Sequence, residues 1–240
     1  QRVKIAIAPS NNNYIYALCV DLVGGLYGIY QSTDAGLNWN FILPTDNVLD
    51  GGTGSGPGGQ GNYDLGLLVD ATDANTVYVG GVNMWASYDG ANSFMPMSHW
   101  TTQYGATLHG DIHDISRSPL TGNYFVCSDG GVYQTSAMIA DSWGTSAWPT
   151  VWTQMNAMQI SSFYRLSSSK NAAGQLIAGA QDNASMYYNA GSWSTIFGGD
   201  GMDNCLFPTS ATNVLGSSQY GNMWVSSDNG ASSNIASSNI

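Results

Sequence analysis

Glutamate is absent from this chain, and lysine and arginine together number 5 in 240 residues. All 16 acidic residues are therefore aspartates, and the formal net charge is −11. A phosphate backbone needs a cationic face, so this balance excludes nucleic acid as a partner. Cysteine is equally scarce: Cys19, Cys127 and Cys205 match no zinc or redox spacing. They read as buried free thiols, with one disulfide and a leftover thiol as the alternative. No stretch approaches the roughly 20 apolar residues that span a bilayer. No cationic, apolar signal segment opens the chain, so mature or excised material is expected.

What is abundant is glycine (30), tyrosine (14) and tryptophan (8), with 43% hydrophobic and only 9% charged residues. Disorder is excluded by that hydrophobic content, and a chain of this length buries a sizeable core. Ser, Asn and Gly supply the polarity, as in the turns of a β-protein that works outside the cell.

Three copies of one turn signature punctuate the sequence: Ser32-Thr33-Asp34-Ala35-Gly36-Leu37-Asn38-Trp39, the looser Ser87-Tyr88-Asp89-Gly90-Ala91-Asn92-Ser93-Phe94, and a truncated Ser227-Asp228-Asn229-Gly230. In each, the carboxylate is expected to accept backbone N–H bonds, a small residue to take positive φ, and an aromatic to pack beneath. Asp34, Asp89 and Asp228 therefore read as structural, together with Ser32, Gly36, Trp39, Ser87 and Phe94, because a carboxylate committed to turn amides is a poor base. The signature resembles the Asp-box, or BNR repeat, of sialidase-type and sortilin-type β-propellers.

Aligned on these turns, the chain shows a recurring order of four strands, the pattern of a propeller blade. The expected fold is all-β: a β-propeller of four-stranded antiparallel blades over residues 1–230, with blades starting near 3, 65, 113, 163 and 204. The fifth blade stops at the Asp228 turn without a recognisable outer strand, and residues 231–240 form a low-complexity Ser/Asn-rich end. About five blades suggest part of a larger propeller, in which the rest of a longer polypeptide is a partner. Gly51–Gly59 lacks the Lys and helix of a phosphate loop and reads as a flexible insertion between blades.

The signature turn joins the third and fourth strands of a blade, so the second-to-third and blade-to-blade connections lie on the opposite face. Polar, unusual sequence gathers in those connections: His109-Gly110-Asp111-Ile112-His113, Ser128-Asp129-Gly130-Gly131, Gln181-Asp182-Asn183 and Gly198-Gly199-Asp200-Gly201-Met202-Asp203. Two histidines and at least four carboxylates are expected to share one rim. The order H-x-D-x-H, D-G-G-V-Y, Q-D-N and G-G-D-G resembles the secreted, Asp-box-containing propellers of the sortilin and xyloglucanase superfamily, which include bacterial cell-surface proteins labelled as glycosyl hydrolases. That resemblance implies a secreted or cell-surface location.

Three functions suit such a rim. Binding of an extracellular glycan or protein would use His109, Asp129, Gln181, Asp182, Asn183 and Asp203, with Trp100, Tyr104, Tyr187, Tyr188 and Tyr220 as stacking aromatics. Glycoside hydrolysis would use Asp111 and Asp200 as paired acid and base. A divalent metal, Ca2+ or another, would take His109, Asp111, His113 and Asp182. A purely structural surface scaffold is a further reading, favoured by the near absence of Lys and Glu. Sialidase chemistry is excluded by the resemblance itself, which calls for an arginine triad and a Glu-assisted Tyr: the three arginines, Arg2, Arg117 and Arg165, sit at different offsets within their inner strands, and there is no Glu. Asn183-Ala184-Ser185 matches a glycosylation sequon by chance.

Overall fold

The structure is a computed structural model that describes residues 2–101, 108–141, 149–156 and 161–236. The fold is all-β, with five four-stranded antiparallel sheets whose strands run in chain order from one edge to the other, the architecture of a partial β-propeller. Two compact units divide the sheets, Gln1–Met158 and Gln159–Ile240.

The first unit holds three blades. The first is β1 (Val3–Ile7), β2 (Ile15–Val20), β3 (Leu26–Ser32) and β4 (Asn40–Ile42). The second is β5 (Gly66–Val69), β6 (Val77–Gly80), β7 (Met84–Ser87) and β8 (Met95–Pro96), and the third is β9 (Ile112–Arg117), β10 (Tyr124–Ser128), β11 (Gly131–Thr135) and β12 (Thr153–Gln154). The first strands stand side by side, β1 against β5 and β5 against β9.

Burial follows from that stacking. The second blade has neighbours on both faces, so β6 and β7 are buried at every position and read as continuous apolar runs. One cluster, including Tyr16, Leu18, Ile29, Val79 and Trp85, joins the first two blades; another, including Met84, Ile112, Ile115, Tyr124 and Val126, joins the second and third. Gly66 and Gly80 pair across β5 and β6, and a Cβ on Gly80 would lie 2.5 Å from Cγ2 of Ile112. Glycine is what lets β9 pack this closely.

The second unit holds a blade of β13 (Arg165–Ser168), β14 (Leu176–Gly179), β15 (Ser185–Asn189) and β16 (Ser192–Phe197), and one of β17 (Asn204–Leu206), β18 (Val214–Ser217), β19 (Met223–Ser226) and β20 (Asn234–Ile235). Ile177, Tyr187, Phe197, Leu206 and Val214 form its core. The short strand β20, where no outer strand was expected, pairs with Trp224 and Val225 of β19.

All three signature turns join third to fourth strands and share one set of bonds. Ser32, Ser87 and Ser226 donate to Asp34, Asp89 and Asp228 at 2.8, 2.8 and 2.7 Å. The same hydroxyls accept the N–H of Gly36, Ala91 and Gly230 at 2.9, 2.9 and 2.7 Å. Ser226, not Ser227, is thus the serine of the third copy. Two consecutive residues take positive φ in each: Ala35 and Gly36, Gly90 and Ala91, Asn229 and Gly230. The first of each pair donates to the turn between the first two strands of its own blade, at Asn13, Asn75 and Thr212. The aromatic position has two fates. Phe94 is 5% exposed in the core, whereas Trp39 is 41% exposed and its indole N–H donates back to Gly36 at 3.0 Å.

Two further expectations change. Gly51–Gly59 is held by its own bonds: Asn47 donates to Gly56 and Gly58 at 2.9 and 2.8 Å, and Asp50 accepts the N–H groups of Gly54 and Gly56 at 3.1 Å each. The cysteines are free, but Cys19 and Cys127 are only half-buried and Cys205 is exposed.

Candidate functional site

The loops opposite the signature turns in the first unit assemble a carboxyl-rich group from three places. Residues Gln60, Tyr63 and Asp64 lie on the loop leading into β5, His109 and Asp111 on the loop leading into β9, and Asp129 on the turn from β10 to β11. His113 stands in β9. Asp111 holds φ 62, a left-handed conformation that Asp tolerates better than most residues, and the following amide, Ile112, donates to Gly81 at 2.8 Å.

Asp129 is the hub. It accepts from His113 Nε2 at 2.6 Å and from the Tyr63 hydroxyl at 2.8 Å, and the Tyr63 and His113 rings meet edge-on at 4.9 Å. Asp111 accepts from the Gln60 amide at 3.2 Å. A carboxylate oxygen of Asp111 and one of Asp129 lie within 4.8 Å of each other. The His109 ring packs on Gly130, where a Cβ would come within 2.4 Å of it, and its Nδ1 lies 3.2 Å from the Gly110 carbonyl.

Beneath these residues sits Asp64, which is 0% exposed and whose carboxyl is hydrogen-bonded to that of Asp111. Burial, followed by the negative charge of Asp111, pushes its carboxyl up to about 7. Burial likewise raises Asp111, with the Asp129 charge adding to the effect and His109 and His113 opposing it. Two aromatics flank the group in the open: Tyr63, 45% exposed, and Trp100, 54% exposed. Trp100 is anchored by an indole N–H bond to Gly51 at 3.0 Å and lies against Gly110, where an added Cβ would sit 3.2 Å from its own.

The remaining expected rim residues belong to the second unit. The Asp182 N–H donates to Asp200 at 3.0 Å, and the Asp200 N–H donates to Gln219 at 3.2 Å. Gln181 accepts from the Tyr164 hydroxyl and its carbonyl accepts from Asn183 at 3.0 Å. Asp203 faces Arg165 at 3.7 Å, both well exposed. Asp200 therefore braces a turn. Of the expected stacking aromatics, Tyr187 is 3% exposed and bonds Asn229, so it is core; Tyr188 packs on Trp193; Tyr220 is fully exposed; Tyr104 lies outside the described residues.

Of the expected set, His109, Asp111 and His113 lie in the first unit and Asp182 in the second. Nε2 of His113 faces Asp129, so the imidazole orients a carboxylate. Asp64, Gln60 and Tyr63 were missed. The available signal was the position of Asp64, an acid just ahead of a first strand as Asp111 is.

No protein-family profile and no curated protein matches the sequence. Among solved structures, the chain is similar to a GH74 enzyme of Niastella koreensis at 18% identity and a TM-score of 0.44, covering 97% of this chain and 38% of that one. It is also similar to the GH74 xyloglucanase of Xanthomonas campestris (14%, 0.40, 96% and 37%) and to YCF48 from Cyanidioschyzon merolae (14%, 0.32, 96% and 83%). The chain thus spans about a third of the GH74 chains it matches. At these identities no site residue is carried across. Among the described residues no helix is long and apolar enough to cross a membrane.

Proposed function

We propose that this chain belongs to a secreted or cell-surface Asp-box propeller that binds an extracellular carbohydrate through the loops of its first unit. The observation that carries the reading is the pairing of exposed Trp100 and Tyr63 with the carboxylates of Asp111 and Asp129. A sugar offers an apolar C–H face and a ring of hydroxyls, and this surface offers an aromatic face beside hydrogen-bond acceptors. The bond set common to the three signature turns supports the Asp-box assignment. Hydrolysis is the runner-up, favoured by burial raising the carboxyl of Asp111, the direction in which a general acid is tuned.

The test is retention on gels carrying soluble β-glucans, xyloglucan among them. Trp100→Ala is expected to weaken binding at least about tenfold, equivalent to about 1.4 kcal/mol. Wild-type protein that no β-glucan retards, or a Trp100→Ala variant retarded as wild type is, overturns the proposal. Release of reducing sugar that Asp111→Asn abolishes replaces binding with catalysis.

A further inference from the structure

We propose that the open face of the first blade is an interface for a second copy of this chain, which docks head to tail through the far face of its own fifth blade. Side chains along a strand alternate between the two faces of its sheet, and β2 sends Tyr16 and Leu18 into the cluster shared with the second blade. The opposite face carries Val3, Ile5 and Ile7 of β1, Ala17 of β2, Tyr30 of β3 and Phe41 of β4, all uncharged. Val3, Ile5 and Ile7 are 53, 62 and 54% exposed. A contiguous apolar face of this kind marks an interaction surface.

Strand register identifies what covers such a face. Ile5, Ala17, Tyr30 and Phe41 pair in one row across the first blade, and Leu67, Val79, Trp85 and Pro96 form the same row in the second. There Leu67, Val79 and Trp85 are buried at 4, 0 and 1% exposure against the first blade. One type of surface is thus sealed in the second blade and open in the first. The same difference accounts for exposed Trp39 beside its buried counterpart Phe94. What seals the second blade is the reverse row of the first, Ala6, Tyr16 and Gln31, with Leu18 and Ile29 beside it. In the fifth blade that reverse row is Cys205, Leu215 and Val225, with Met223 beside it. Cys205 is exposed and the other three are half-exposed, because that blade packs on the fourth through its opposite face, with Leu206, Val214 and Trp224. Each molecule therefore carries both halves of one interface, and the contact between copies repeats the contact seen between the first two blades. Such a pairing is heterologous, so each added copy leaves one free face at either end of the assembly.

The inference does not rest on the carbohydrate reading, and its test uses the chain alone. Sedimentation velocity is run on the full chain from micromolar to near-millimolar concentration, with dithiothreitol present so that the free thiols cannot cross-link. The mass is expected to grow with concentration and to pass that of a dimer. Added NaCl is expected to strengthen the association, since a net charge of −11 on each copy opposes it. Ile5→Asp and Cys205→Asp alter exposed positions, one on each half of the interface. Each is expected to stay folded by circular dichroism and to weaken association at least about tenfold. Val3→Asp and Met223→Asp replace them should either fail to fold. An equimolar mixture of the two variants is expected to form dimers and nothing larger, because each keeps the half that the other has lost. Wild-type chain that stays monomeric throughout overturns the proposal, as does a mixture that stays monomeric. Weakening by Ile5→Asp with Cys205→Asp behaving as wild type overturns it too, being the pattern of two first blades meeting face to face.

Discussion

The loop into the third blade and the loop into the fifth follow the same path, each pairing with the middle turn of the blade before it: Ile112 with Gly81 at 2.8 Å, Gly201 with Ala180 at 2.9 Å. Both carry an aspartate, Asp111 and Asp200. In the first unit, Asp111 joins Asp129 above the buried Asp64, whereas in the second Asp200 accepts the Asp182 amide and Asp203 faces Arg165. The preceding blade makes the difference. The loop into β5 contributes a buried acid; the loop into β13 contributes the hydroxyl of Tyr164, which donates to Gln181. One unit concentrates negative charge, and the other disperses it over backbone and exposed partners.

That contrast depends on glycines that let each loop approach, and the largest effects are expected from filling them. A Cβ on Gly179 would stand 2.1 Å from the Met202 carbonyl, and one on Gly80 2.5 Å from Ile112 Cγ2. A backbone carbonyl held between paired strands cannot yield as a side chain can. Gly179→Ala is therefore expected to cost more than about 3 kcal/mol and Gly80→Ala about 1–3 kcal/mol. Urea denaturation checks the ranking, and equal costs would show that both loops yield alike.

Removing the acid that sets the two units apart should act in the opposite direction. Asp64→Asn, measured in EDTA, keeps the shape and removes the buried charge, so the chain is expected to gain about 1–3 kcal/mol at pH 8. The sign follows from linkage. With its folded pKa raised to about 7 and an unfolded value near 4, Asp64 contributes its stability in full below about pH 4 and loses it as pH rises through about 7. Asp111 and Asp129 face Asp64 in both proteins, so the difference between wild type and variant isolates Asp64. Asp200→Asn, which retains an acceptor for the Asp182 amide, is expected to stay within about 0.5 kcal/mol of wild type. A stability curve unchanged by Asp64→Asn would equate the two units.

Much of this architecture was legible in the residues. The all-β class and the four-stranded antiparallel sheets follow from period-two apolar runs separated by Gly, Asn and Asp. The acid group was legible only in part. Asp111, Asp129 and His113 stood out as an unusual pattern, but Asp64 sits in Gly-Asn-Tyr-Asp, a sequence that reads as an ordinary exposed turn. Its burial comes from a neighbouring blade far along the chain, and local composition cannot register that. Strand β20 escaped for a related reason. Its Ser/Asn sequence lacks β-propensity, yet Ser232 bonds Asp228 through its N–H at 2.8 Å and its hydroxyl at 2.6 Å, much as Asn38 and Ser93 serve the other two turns.

The signature turns recur in both units and so form the reference against which the unlike loops are judged. Ser87→Ala leaves the N–H of fully buried Ala91 without its acceptor, at an expected cost of about 1–2 kcal/mol. Ser32→Ala and Ser226→Ala strand the half-buried amides of Gly36 and Gly230, which water can reach, and are expected to cost less. The carboxylates add an acid limb. Bonds from Ser232 hold Asp228 down at about 2, so its contribution is present above about pH 4 and lost as pH falls through about 2. Asp34 and Asp89 are lowered too: Asn38 leads for Asp34, and for Asp89 the bonds from Ser93 and Ser87 outweigh burial. Acid titration of Asp228→Asn should therefore lose slope between about pH 4 and 2, well below the range in which Asp64→Asn changes the curve. If the two variants altered the same pH range, the turns and the buried acid would not be separate electrostatic systems.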